Sequence, residues 1–204
     1  VLQVAFGGWI FTYSVKQAGL SMQEGHFLNA SYWAAFTLGR VAASFAAVYL
    51  SPATLLFASI PLAILGSAAA LLAPASWLAS GGWLLLVVTI LVGLGASAGF
   101  ANALAILDSF EPCTGSITGL LGGVAGAGCM TVPLVIALLA KHTKLGYGGL
   151  MLCCLVSFSV QLVCVPAALA VGGWLQASRE QDELASVTKE VLPEEQQPLL
   201  ESEC

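Results

Sequence analysis

The chain has 204 residues, 58% of them hydrophobic and only 8% charged. Soluble domains carry about 45–50% and about 25%, so composition excludes an ordinary water-soluble globule. The net charge of −5 comes mostly from one acidic tail over residues 180–203, nothing basic is extensive enough to hold nucleic acid, and the cysteines have neither metal-ligand nor disulfide-scaffold spacing.

Apolar stretches near the ~20 residues that a helix needs to cross ~30 Å of hydrocarbon predict six transmembrane spans in an all-α membrane protein. The first, residues 1–15, is apolar from Val1 and shows neither a basic leader nor a small-residue cleavage site. The reading is therefore of a helix already under way, in the C-terminal piece of a longer protein. Gly7-Gly8 is a point where this helix could break. The second span, 27–50, ends at a Ser51-Pro52 corner, because Pro starts a helix but disfavours helical geometry in the residue before it. The third covers 53–73, the fourth 82–107, the fifth 115–140 and the sixth 147–175. Pro61, Pro133 and Pro166 predict kinks. Gly95 and Gly99, then Gly115, Gly119 and Gly123 with Gly122 and Gly126 beside them, form the small-residue rows that let helix backbones approach closely. The fifth helix is expected to be buried in a bundle. Four cysteines fall in apolar runs and read as small buried hydrophobes.

From residue 176 the composition becomes too polar to bury a core and predicts a disordered acidic tail, which divides the chain into a bundle, 1–175, and a tail, 176–204. Glu195, Leu199 and Leu200 have the acidic-xxx-Leu-Leu spacing of a dileucine sorting signal, a pattern read by cytosolic adaptor complexes. Lysine and arginine are split between the two sides of the bilayer, so they leave orientation undecided. A cytosolic tail puts the 108–111 loop in the cytosol and the 16–26 loop outside, in a plasma or endosomal-lysosomal membrane.

Arg40 is the only charged residue between Phe27 and Leu107, and at a helix centre it costs about 2.5–3.5 kcal/mol. On an ideal helix Asn29, Trp33, Phe36 and Arg40 share one face, since eleven residues make almost three turns. An amide, two rings and a guanidinium suit a sugar, whose C–H faces stack on rings while its hydroxyls need hydrogen-bond partners. The alternative is an Arg40 that snorkels or pairs with Asp108 or Glu111. On the first span Gln3, Gly7, Ile10 and Ser14 share a face flanked by Phe6, Trp9 and Tyr13. Asn102 falls on the Gly95/Gly99 face, and Gln161 lies in the middle of the last span. Gln3, Trp9, Tyr13, Asn29, Trp33, Arg40, Asn102 and Gln161 are thus the candidate substrate-binding residues, with aromatic belt and interhelical hydrogen bonding as competing roles. No carboxylate falls clearly within a span. No cofactor is indicated, and a coupling ion, H+ or Na+, would need a site upstream.

The runs GGWIFTYSVK at 7–16 and YWAAFTLGR at 32–40, followed by Ser51-Pro52, resemble the C-terminal six helices of a major facilitator superfamily transporter. They resemble in particular the branch holding the fucose permease, the sodium-dependent glucose transporter and the major facilitator superfamily domain-containing protein 4 group. The resemblance implies helices seven to twelve of a twelve-helix bundle, whose two halves rock about a central site, with acidic coupling residues in the missing N-terminal half. Gln3 stands where such relatives tend to be acidic, and no complete Asp-Arg-x-Gly-Arg loop follows Gly39-Arg40. Transport of a small polar solute, a hexose above all, is the function implied. A non-transporting sensor or scaffold on the same bundle is the rival.

Overall fold

The computed structural model describes residues 2–74, 77, 82–110, 114–143 and 146–191. Among them every regular element is helical: α1 (Leu2–Lys16), α2 (Met22–Ala46), α3 (Pro52–Leu72), α4 (Trp83–Ser97), α5 (Gly99–Phe110), α6 (Gly115–His142), a 3-10 turn at Gly146–Gly148, and α7 (Gly149–Val191). The chain divides into two units, Val1–Val165 and Pro166–Cys204.

Local chemistry fixes where the helices begin. Ser21 caps α2 through a reciprocal box: its Oγ accepts from the Glu24 amide at 3.3 Å, while its own amide donates to the Glu24 carboxylate at 2.8 Å. Two of the helix's orphan donors are thereby satisfied. Ser51 caps α3 one way, accepting from the Thr54 amide at 3.2 Å with Pro52 at the first helical position, a cap worth about 1 kcal/mol. Gly82 opens α4 at φ 67°, a left-handed turn that side chains resist.

The centre of the first unit is α4, packed against both α2 and α3. Its glycines make that possible. A methyl group placed on Gly95 would sit 2.5 Å from the Ala63 amide of α3, and one on Gly93 3.0 Å from the Tyr32 carbonyl of α2. Gly39 of α2 meets Ser97 and Gly66 of α3 meets Val92, so α2 runs parallel to α4 and α3 antiparallel to it. Leu85, Val88, Val92 and Ala96 are buried between them, and the Thr89 hydroxyl bonds back to the Leu85 carbonyl at 2.6 Å, which satisfies a polar group that lipid could not. Against the other side lies α1. Phe6 packs on Tyr32 with ring centroids 4.9 Å apart, and Trp33 lies directly over Gly7.

The structure differs from several expectations. Among the described residues four stretches combine membrane-crossing length with sustained hydropathy, Pro52–Leu72, Trp83–Phe110, Gly115–His142 and Gly146–Thr188, and the first two predicted spans fall short of that measure. At 15 residues α1 is short, about 22 Å, and α2 is diluted by Gln23, Glu24, His26, Asn29 and Arg40. The α1 helix passes unbroken through Gly7-Gly8, because Trp33 covers Gly7 and holds that turn. The α6 helix is not buried: Ile136 is its one buried residue, and Gly115, Gly119, Gly122, Gly123 and Gly126 meet nothing within 4 Å of an added methyl. A small-residue row marks a face fit for close packing without saying what packs there. The last helix continues past residue 175 to Val191, over the stretch read as a polar tail. Pro61, Pro133 and Pro166 all lie inside continuous helices. Of the described cysteines Cys154 is buried but Cys164 is exposed.

Candidate functional site

A cavity of about 310 Å³ lies in the first unit, reached by α1, α4, α5, α6 and α7. It straddles the middle of the best-buried apolar crossing, for Gly95, Ala96, Gly99, Phe100 and Ala103 line it and sit near the centre of Trp83–Phe110. The glycines create the room. Where a side chain at Gly99 would project, the nearest atom is the Gln161 amide nitrogen at 3.8 Å.

Two carboxamides border this cavity, one on α1 and one on α7. Gln3 of α1 anchors itself by donating from Nε2 to the Ala96 carbonyl at 2.9 Å, and its backbone carbonyl accepts from the Tyr32 hydroxyl at 2.9 Å. Those two bonds fix α1 to α4 and α2, and they leave Gln3 Oε1 as an acceptor. Gln161 of α7 lines the same cavity with Ser157 one turn earlier, and Phe100 and Phe158 supply ring surface. No titratable side chain lines the cavity. An apolar chamber with a few amide and hydroxyl groups recognises a neutral solute: polar groups fix hydroxyls and rings take up C–H faces.

Of the residues singled out from sequence, the structure brings Gln3 and Gln161 together and places the others elsewhere. Tyr13 is buried in the core at 2% exposure. Trp9 packs toward Tyr147 with centroids 6.2 Å apart. Along α2 the stripe does form a ladder, with Trp33 edge-on to Phe36 at 5.9 Å and the Arg40 guanidinium over the Phe36 ring at 4.9 Å. It does not line the carboxamide cavity. Asn29 Oδ1 is buried without a hydrogen-bond partner among the described residues.

Asn102 also departs from expectation. Instead of joining Gly95 and Gly99, it lines a second recess of about 200 Å³ with Arg40, Ser44, Ser97 and Ala98. At about 100° per residue the residues facing this recess lie opposite those facing the first cavity, so the α4–α5 segment is the wall between them. Its Nδ2 donates to the Ala98 carbonyl at 2.9 Å, beside the turn where α4 gives way to α5. The Arg40 guanidinium itself turns back along α2 over the Phe36 ring. Glu111 lies outside the described residues, as do Glu195, Leu199 and Leu200.

Sequence reasoning missed Phe100, Ser157 and Phe158. The one legible signal was the i, i+4 pairing of Ser157 with Gln161 in an otherwise apolar helix.

No family model matches the chain, and no solved structure matches it. Sodium-dependent glucose transporter 1 of Danio rerio is 28% identical over 142 residues, which are 70% of this chain and 23% of that relative. The chain therefore spans about a quarter of the relative's length. Its apolar helices and this distant likeness together fit an integral membrane protein with a transporter among its relatives.

Proposed function

We propose that the chain forms part of a secondary transporter that moves a small neutral polar solute, of the hexose class, by alternating access. The observation that carries this reading is the uncharged cavity holding Gln3 and Gln161 near the middle of the Trp83–Phe110 crossing. Transporters place their sites at that depth, where a solute is reachable from either side as the surrounding helices tilt. A volume of about 310 Å³ is at the small end of ligand sites, which run from roughly 300 to 1,000 Å³, and suits a single sugar ring. The likeness to a sodium-dependent glucose transporter supports the same solute class.

On this reading α1 and α2 cross the bilayer as well, making six spans in one half of a twelve-helix major facilitator bundle. The support for α2 is its parallel course beside α4, from the recess that Glu24 shares with Trp83 to the contact of Gly39 with Ser97. Coupling to H+ or Na+ would draw on groups outside this cavity, since its lining offers no carboxylate.

Uptake of labelled glucose by cells producing the full-length protein, with and without sodium, tests the proposal. Removing one solute hydrogen bond costs about 1–1.5 kcal/mol, so Gln161→Leu should lower uptake efficiency about tenfold at unchanged surface abundance. Wild-type uptake in that variant would remove the cavity from the transport path.

A further inference from the structure

Arg40 sits on α2 level with the α4–α5 junction, because Gly39 meets Ser97 and Arg40 shares its recess with Ser97, Ala98 and Asn102. That junction is at the middle of Trp83–Phe110, so with α2 in the membrane Arg40 stands at mid-depth of the apolar layer, on a face that this chain leaves exposed. Among the described residues no carboxylate is within ion-pairing distance of it, and its one charge contact is the face of Phe36 at 4.9 Å. Asp108 is six residues beyond Asn102 on the same helix, about 9 Å further along and on another face. A ring face offsets only part of the cost of keeping a cation out of water.

The surroundings are built for an anion. Beside the guanidinium lies a recess of about 200 Å³ bordered by Ser44, Ser97 and Asn102. The Asn102 side chain uses one amide hydrogen on the Ala98 carbonyl and is otherwise buried, at 8% exposure, which leaves its second N–H as a donor. The guanidinium fork itself matches two oxygens in one plane.

We infer that the Arg40–Asn102 recess is a carboxylate-binding site, separated by the α4–α5 wall from the cavity that holds Gln3 and Gln161. The carboxylate is supplied either by a solute or by another segment of the full-length protein. This inference rests on the membrane placement of α2 and α4 but not on the choice of a sugar as solute. Its test reads stability, so its failure leaves the uptake experiment standing.

The experiment is thermal unfolding of the purified full-length protein, wild type against Arg40→Met and Arg40→Lys, with acetate or its neutral analogue acetamide at constant ionic strength. If a carboxylate of the full-length protein pairs with Arg40, the methionine leaves that negative charge without its partner inside the membrane and lowers the melting temperature by at least about 2 °C. Arg40→Lys keeps the charge and should lose less. A melting temperature that rises in Arg40→Met, together with no stabilisation of the wild type by acetate, overturns the inference. The acetate arm identifies the source. Stabilisation by acetate but not acetamide, absent in Arg40→Met, assigns the carboxylate to a solute; a loss in Arg40→Met with no acetate response in wild type assigns it to the protein.

Discussion

Replacing Gly95 by alanine tests the helix packing that forms the cavity. The added methyl would lie 2.5 Å from the Ala63 amide nitrogen and 2.8 Å from the Ser59 carbonyl oxygen. Both are backbone atoms and cannot rotate aside, so α3 and α4 must part by nearly 1 Å to restore ordinary contact. A gap of that size forfeits about a quarter to a half of the attraction along the interface, and overpacking typically costs about 1–3 kcal/mol. Alanine returns about 0.5–1 kcal/mol of helix propensity, leaving a net loss near 1 kcal/mol, or roughly 2–4 °C in a protein of this size. Thermal unfolding of detergent-purified protein at one fixed scan rate is the assay, because unfolding of such proteins is commonly irreversible. Gly66→Ala should fall in between, since the first atom met there is a methyl of Val92 at 3.0 Å. Gly8→Ala, where nothing lies within 4 Å, should hold or gain stability. Should Gly95→Ala melt with Gly8→Ala rather than below it, the close α3–α4 approach described above is wrong.

Asn29→Leu should raise the melting temperature, because an unpartnered buried acceptor costs about 1–3 kcal/mol and the Asn29 Oδ1 has no partner among the described residues; a fall would show that the full protein supplies a donor there. The Ser21 hydroxyl and amide, both bonded to the Glu24 carboxylate, hold its pKa below the ordinary value. A lowered pKa means that this contribution is complete above the usual carboxylate range and is lost only as pH falls through the depressed value. The protection of the amides at the start of α2, relative to their intrinsic exchange rates, should therefore fall only in acid, and Glu24→Gln should abolish that pH dependence. In the tail, joint replacement of Leu199 and Leu200 by alanine should move the protein toward the plasma membrane, with Glu195→Ala giving a smaller shift; an unchanged distribution by surface labelling would make the motif a plain solvated segment.

Composition and periodicity alone determine that the chain is helical and suited to a bilayer, because the length of an apolar run and the lack of charge are local properties. The corner at Ser51-Pro52 was legible for the same reason: a serine and a proline at fixed offsets act within one turn. Gln3 and Gln161 could be named as polar groups in apolar helices, but not as partners. Their meeting depends on α1 and α7 both facing the groove left by Gly95 and Gly99. Tertiary structure alone decided which glycine row packs. Gly93 and Gly95 are pressed against backbone on two sides, while the equally regular row from Gly115 to Gly126 stands open, and nothing in the spacing distinguishes them. Asn102 shows the limit of helical counting. The face it shares with Gly99 by arithmetic is divided, in the folded unit, between two recesses on either side of one helix, and only the positions of α1, α2 and α7 decide which recess each residue borders.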